Sequence, residues 1–319
     1  MTSEDSRFEA DPADLLPDDG PLPPGWKLQH PDAQDPLVLA RLVTLLREHE
    51  IHGRGWAAAD EATVLVEIAA EAERTRANLV VLDPHGTIWA WGSVHDRAGG
   101  RMLLVHVVGR DLAGGLADRC SRVLVDWAVG QAVAVGQARG LEVQQIDTGA
   151  FADDARQHAW LAQAGFTQVR TWWQLSRPSL STDVDLVADP HSWERDGVRF
   201  RLVRRDGDGM PHEGDLREVH TVLEGAFADH FNSWEETFDE FLHRLREDVG
   251  HRWDHWWLAE IVHDGEEPVS VGALVGTVSE SDGGPDGSYV SYLGVLGSAR
   301  GRGVAKGLLH SIVADAAAR

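Results

Sequence analysis

The sequence is poor in cysteine, in tyrosine and in positive charge. Cys120 is the only cysteine of 319 residues. That excludes an intrachain disulfide and a cysteine-ligated metal cluster, and fits the reducing cytoplasm. Lysine and arginine number 29 against 52 aspartates and glutamates, a formal net charge of -23. A surface of that sign repels polyphosphate, so nucleic acid is not expected as a partner, nor is an anionic membrane. No apolar run approaches the roughly 18 residues of a membrane span. The opening stretch MTSEDSRFEADPADLLPDDG has no apolar segment and does not read as a signal peptide.

What is present is ordinary globular material, 43% hydrophobic and 25% charged. The length predicts two domains. Residues 1–24 are acidic and proline-rich and read as a disordered tail. Helical spacing covers Pro36 to Glu50, and a second helix is expected over Asp60 to Arg76. Asn78–Asp83 and Thr87–Val94 read as a hairpin around Pro84-His85-Gly86. Met102–Val108 is a strand, followed by a long helix from Gly115 to Ala138 with Gly140 beyond its end. Val143–Thr148 is a strand, Asp153–Ala164 a helix, and Val169–Leu175 a closing strand whose Trp172 and Trp173 are expected to cover the core. Residues 179–196 are the linker. The pattern then restarts: strand Val198–Val203, helices Leu216–Phe227 and Trp234–Glu247, strands Trp256–Val262 and Pro268–Val278, and a last strand and helix. This divides the chain into domains 25–178 and 197–319, each an α/β unit with a mixed sheet between helices.

The most informative stretch is Tyr289 to Ala305, YVSYLGVLGSARGRGVA. A strand, a glycine turn and a helix start make an anion site, because first-turn N–H groups lack intrahelical acceptors. Arg300, Arg302 and Lys306 crowd that first turn, where the helix dipole disfavours cations. Their presence points to a bound polyanion. Val107–Ala117, VVGRDLAGGLA, aligns beneath Val295–Ala305 without a gap, with Leu112 and Gly114 in place of Arg300 and Arg302. The chain is thus an internal repeat whose second copy carries the cations. About 60 residues follow the turn in the first copy, whereas the second stops inside the helix; the second domain is expected to be truncated or to lack its late strand–helix–strand.

Arg300, Gly303 and Ala305, preceded by Leu293-Gly294-Val295, resemble the Q/R-x-x-G-x-G/A motif of the GCN5-related N-acetyltransferase superfamily. The tandem arrangement is similar to its two-domain members, of which mycothiol synthase is one. The resemblance implies two tandem domains of that fold and acetyl-CoA as cosubstrate. It implies that the motif strand bulges and opens a slot where the pantetheine arm lies as an added strand. Leu293 and Val295 would be its backbone partners, and the N–H groups of Arg300, Gly301, Arg302, Gly303, Val304 and Ala305 would hold the diphosphate. The implied activity is acetyl transfer to a primary amine of a small molecule by a monomer or homodimer. The alternative is a non-catalytic acyl-CoA-binding protein with a degenerate fold.

The chain departs from the family in its proton carriers. Many members place a tyrosine on the late helix as general acid; Leu161 stands there in the first copy. The only tyrosines are Tyr289 and Tyr292, so Tyr292 is the expected acid. No carboxylate lies between Ser288 and Tyr292, and Glu260 is the expected base, needed because the attacking amine must be neutral. Asp229 and His230 lie where family members bind acceptors. A G-x-G-x-x-G reading fails because Gly307 falls one place late. His251 and His255 flank Asp254, but tryptophans beside them favour a packed loop over a metal site, and no metal is expected. Cys120 reads as a packing residue.

Overall fold

The computed structural model describes residues 22–69, 75–97, 100–207, 209–228, 237–239, 241–242, 251–263, 265–279 and 286–319. It divides into two compact units, Met1–Trp172 and Trp173–Arg319.

The first unit contains β1 (Lys27–Gln29), α1 (Pro36–Arg54), α2 (Glu61–Ile68), β2 (Arg76–Leu82), β3 (Ile88–Asp96), β4 (Arg101–Val108), α3 (Gly114–Ala138), β5 (Gln145–Thr148) and α4 (Ala155–Gln163). The five strands form one sheet in chain order. β1 to β4 are antiparallel, while β5 runs parallel to β4, as a crossover through a helix requires. β2 reads as a continuous apolar run because both faces are covered. Leu79 and Val81 meet Leu124 and Trp127 of α3, and Val80 meets Leu42 and Leu45 of α1. Helix ends follow the local chemistry. Asp35, Asp60 and Asp154 each accept an amide of the first turn they precede. Gly140 at φ 63° ends α3, with Leu141 N–H donating to Gly136 O at 2.9 Å.

The second unit contains a 3-10 turn (Ser181–Leu186), β6 (Ser192–Arg195), β7 (Val198–Leu202), α5 (Glu213–Phe227), β8 (His251–Ile261), β9 (Val269–Ser279), β10 (Gly287–Val295) and α6 (Val304–Ala318). Its sheet has the order β10-β9-β8-β7-β6 and is antiparallel throughout. Leu216, Val219 and Leu223 of α5 pack on Trp256, Leu258 and Val275. On the other face, Val304, Leu308 and Ile312 of α6 pack on Phe200, Trp257 and Leu274.

Several expectations are corrected. The helix expected to Arg76 ends at Ile68, because Arg76 already pairs with His95 in the hairpin. The expected linker 179–196 carries a 3-10 turn and β6, and Asp196-Gly197 closes a two-residue hairpin from β6 to β7 with φ 53° and 73°. Asp-Gly is the dipeptide that such a turn selects, a local signal that the linker reading passes over. His251–His255 belongs to β8 rather than to a loop. Val169–Leu175 is not a strand: it pairs with none of the described strands, and Trp172 and Trp173 are 70% and 84% exposed instead of covering the core. The acidic tail up to residue 21, most of the expected helix Trp234–Glu247, Asp229 and His230 lie outside the described residues. No described helix is long and apolar enough to cross a membrane.

Candidate functional site

β10 is an edge strand, paired on one side by β9 only among the described residues. Its register shifts between Val290 and Tyr292, a β-bulge in the motif strand. Leu296 N–H donates inward to Val271 O. Side-to-side alternation along the strand therefore turns the backbone groups of Val295 and Leu293 outward, to the unpaired edge.

Beyond β10 the chain makes a 3-10 turn at Gly297–Ala299, pinned by the buried Ala299. Gly301 and Gly303 then take φ 79° and 78°. An L side chain pays roughly 1–2 kcal/mol in that region, which is why glycine stands there. α6 begins at Val304 without a side-chain cap. Gly303 O accepts from Gly307 N–H, so the amides of Val304, Ala305 and Lys306 are the unsatisfied first-turn donors. Among the described residues nothing stands within 4 Å of a Cβ placed on Gly297, Gly301 or Gly303. Arg302 and Lys306 are exposed beside these donors. Arg300 folds back instead, donating to Val295 O at 3.3 Å and to Ala226 O at 3.2 Å. Open space, convergent N–H donors and adjacent cations suit a diphosphate chemically.

The corresponding corner of the first unit is built differently. Gly109 N–H donates to Trp89 O as Leu296 does to Val271 O, and Ala113 O accepts the first helical bond as Gly303 O does. Five residues, Gly109 to Ala113, therefore connect β4 to α3, whereas eight, Leu296 to Gly303, connect β10 to α6. The gapless alignment of the two copies is thus corrected: the second turn is longer. None of the glycines in the first turn has positive φ. The outward carbonyls of β4 are already taken. Arg156 of α4 donates to Val108 O at 2.8 Å and Gly109 O at 3.3 Å, and Gln157 donates to His106 O at 3.1 Å. Arg110 is ion-paired with the buried Asp154. Behind them His106 is buried with no hydrogen-bond partner on either ring nitrogen among the described residues, and burial, helped by nearby His49, pushes its pKa down to about 4.

The expected proton carriers divide. Tyr292 is half-buried on β10 against the α5-side core. Glu260 lies on β8, two strands in from the open edge. It is buried, and both its oxygens are bonded, to Arg199 at 2.7 Å and Arg201 at 2.8 Å. Arg201 continues to Asp215 of α5, which Arg204 also holds. Burial pushes Asp215 up, but the bonds from Arg204 and Arg201 outweigh it and hold its carboxyl well below the usual range. The network staples β7 and β8 to α5. Cys120 is buried in the first core, where burial raises its thiol to about 12, so it is inert packing. Among the described residues no cluster of metal-ligating side chains occurs.

Sequence reasoning missed one constellation. His255, noted only for metal spacing, bonds Asp315 of α6 and Ser288 of β10. These residues are far apart in sequence, and no local motif brings them together.

No family model and no curated protein matches the chain. Solved structures do. A GCN5-related N-acetyltransferase from Sphaerobacter thermophilus matches with TM-score 0.64 at 19% identity, over 92% of this chain and 84% of that one. The glucosamine N-acetyltransferase region of a fungal multi-domain β-N-acetylglucosaminidase matches with TM-score 0.54 at 13% identity, over 92% of this chain and 34% of that one. At these identities the likeness is one of fold. The two units are tandem domains with the fold of the GCN5-related N-acetyltransferases.

Proposed function

We propose that the second domain binds acetyl-CoA along the outer edge of β10 and transfers the acetyl group to a primary amine of a small molecule. The carrying observation is the turn from Gly297 to Ala305: two left-handed glycines, an uncapped helix start and exposed Arg302 and Lys306, in a chain of net charge -23. When bound, the thioester supplies an activated acyl group. The backbone of Leu293 and Val295 would pair with the pantetheine arm, and the amides from Gly301 to Ala305 would hold the diphosphate. Arg300 would release Val295 O as that pairing forms. Tyr292 would protonate the leaving thiolate. Glu260, clamped by two arginines, fits a positioning role better than that of a base. The first domain, its strand edge filled by Arg156 and Gln157, is read as structural or acceptor-shaping.

A second reading is a non-catalytic acyl-CoA-binding protein, favoured by the engaged state of Glu260. Calorimetry with acetyl-CoA should show binding that Arg302→Ala combined with Lys306→Ala weakens. No binding to the unaltered chain would sink the site assignment. Thiol release from acetyl-CoA across a panel of amines separates the two readings.

A further inference from the structure

The second domain holds a Ser-His-Asp relay at the far end of α6 from the glycine turn. Asp315 lies eleven residues past Val304, about 16 Å along the helix. His255 Nδ1 is 3.0 Å from Asp315 Oδ2, and His255 Nε2 is 2.5 Å from Ser288 Oγ. A carboxylate can only accept, so Nδ1 carries the proton and donates to Asp315. That leaves the Nε2 lone pair facing the hydroxyl of Ser288, the arrangement of a nucleophile with its base and the group that orients the base. His255 and Asp315 are each 2% exposed, while Ser288 faces solvent at the start of β10. Asp315 is fixed further by Arg319 Nε at 2.9 Å and His191 Nε2 at 3.2 Å. Burial pushes its carboxyl up, but the bonds from His255 and Arg319 outweigh that and hold it ionised. The chain of bonds thus runs from a buried anion through a buried imidazole to an exposed hydroxyl.

We propose that Ser288 is an acyl-accepting nucleophile, activated by His255 and Asp315, for small esters or thioesters. Ser288 Oγ forms a bond to the acyl carbon while its proton passes to His255 Nε2. The carbon–oxygen or carbon–sulfur bond of the leaving group breaks, and the leaving alkoxide or thiolate takes that proton. Water then attacks the seryl ester with His255 again as base, releasing the carboxylic acid and restoring Ser288. The net reaction is hydrolysis, with no oxidant, reductant or metal. It does not depend on the glycine turn.

The test uses p-nitrophenyl acetate with the full chain. The expected result is a burst of p-nitrophenolate, with one acetyl group recovered by peptide mass spectrometry on Ser288. Ser288→Ala, a change at an exposed position, should retain the melting temperature and lose both. Asp315→Asn should slow acylation on the order of ten-thousandfold. Acetyl groups found only on lysines, or an undiminished burst in Ser288→Ala, would overturn the proposal and leave a purely structural hydrogen-bond network.

Discussion

Gly303→Ala isolates the backbone contribution to the glycine turn. Gly303 sits at φ 78°, where an L residue pays roughly 1–2 kcal/mol. No atom of the described residues lies within 4 Å of the added methyl group, so none of them adds a clash to that strain. In the free protein the alanine relaxes its φ by letting the helix start fray. Binding a diphosphate requires the left-handed geometry again, so the strain returns as lost affinity. A cost of 1–2 kcal/mol corresponds to a roughly 5- to 30-fold weaker complex. Gly297→Ala is the control, because Gly297 also faces open space but lacks positive φ; it should change affinity less than about twofold. Titration calorimetry with coenzyme A measures both. Equal effects of the two substitutions, or none from Gly303→Ala, would refute the argument that the turn's conformation builds the anion site.

Two further outcomes test the framework around the sites. His106 has a folded pKa near 4 against 6.5 for the free side chain, so the unfolded chain binds more protons between those values. His106 by itself should cost the first domain nothing above about pH 6.5 and about 3 kcal/mol as pH falls to 4, and half-buried His49, also pushed down to about 4, adds to the loss in the same window; an imidazole NMR titration of His106 with a midpoint near 6.5 would disprove this. Asp215→Ala removes a fully buried carboxylate bonded by Arg201 and Arg204, and should cost about 3 kcal/mol in urea unfolding, because Arg201 loses one of the two carboxylates that compensate its charge, Asp215 and Glu260. A loss under about 1 kcal/mol would show that the network is dispensable.

Much of the fold was legible because local chemistry and tertiary packing agree. The apolar runs of β2 and β9 and the capped helices α1, α3 and α4 follow from spacing and from Asp35, Asp154, Gly140 and Gly165. The failures lie where pairing decides the outcome. Val169–Leu175 has the composition of a strand, but a strand exists only beside a partner, and its large side chains stand exposed. β6 was hidden by its charged residues, although Asp196-Gly197 marked the hairpin. The anion turn was readable because glycine and arginine leave a local trace. The links of Glu260 to Arg199 and Arg201, and of His255 to Ser288 and Asp315, left none, since each joins residues on different strands or helices.

The two domains show that one strand–turn–helix corner can be open or closed. Charge alone does not separate them. Placing arginine at Leu112 and Gly114 would supply the cations of the second copy, yet the connection after β4 would remain three residues shorter than that after β10. It would also lack the left-handed glycines that aim the amides at one point. The edge of β4 would stay closed, because Arg156 and Gln157 already bond the carbonyls of His106, Val108 and Gly109. A ligand strand could enter only by displacing a guanidinium held against buried acceptors, leaving it to find new partners. At β10, among the described residues, Arg300 bonds the outward carbonyl of Val295, and its contacts of 3.3 Å there and 3.2 Å to Ala226 O are long and exposed. They are weak enough to yield to a pairing backbone. The difference in edge occupancy, more than the difference in charge, assigns acyl-CoA binding to the second domain in the proposed function.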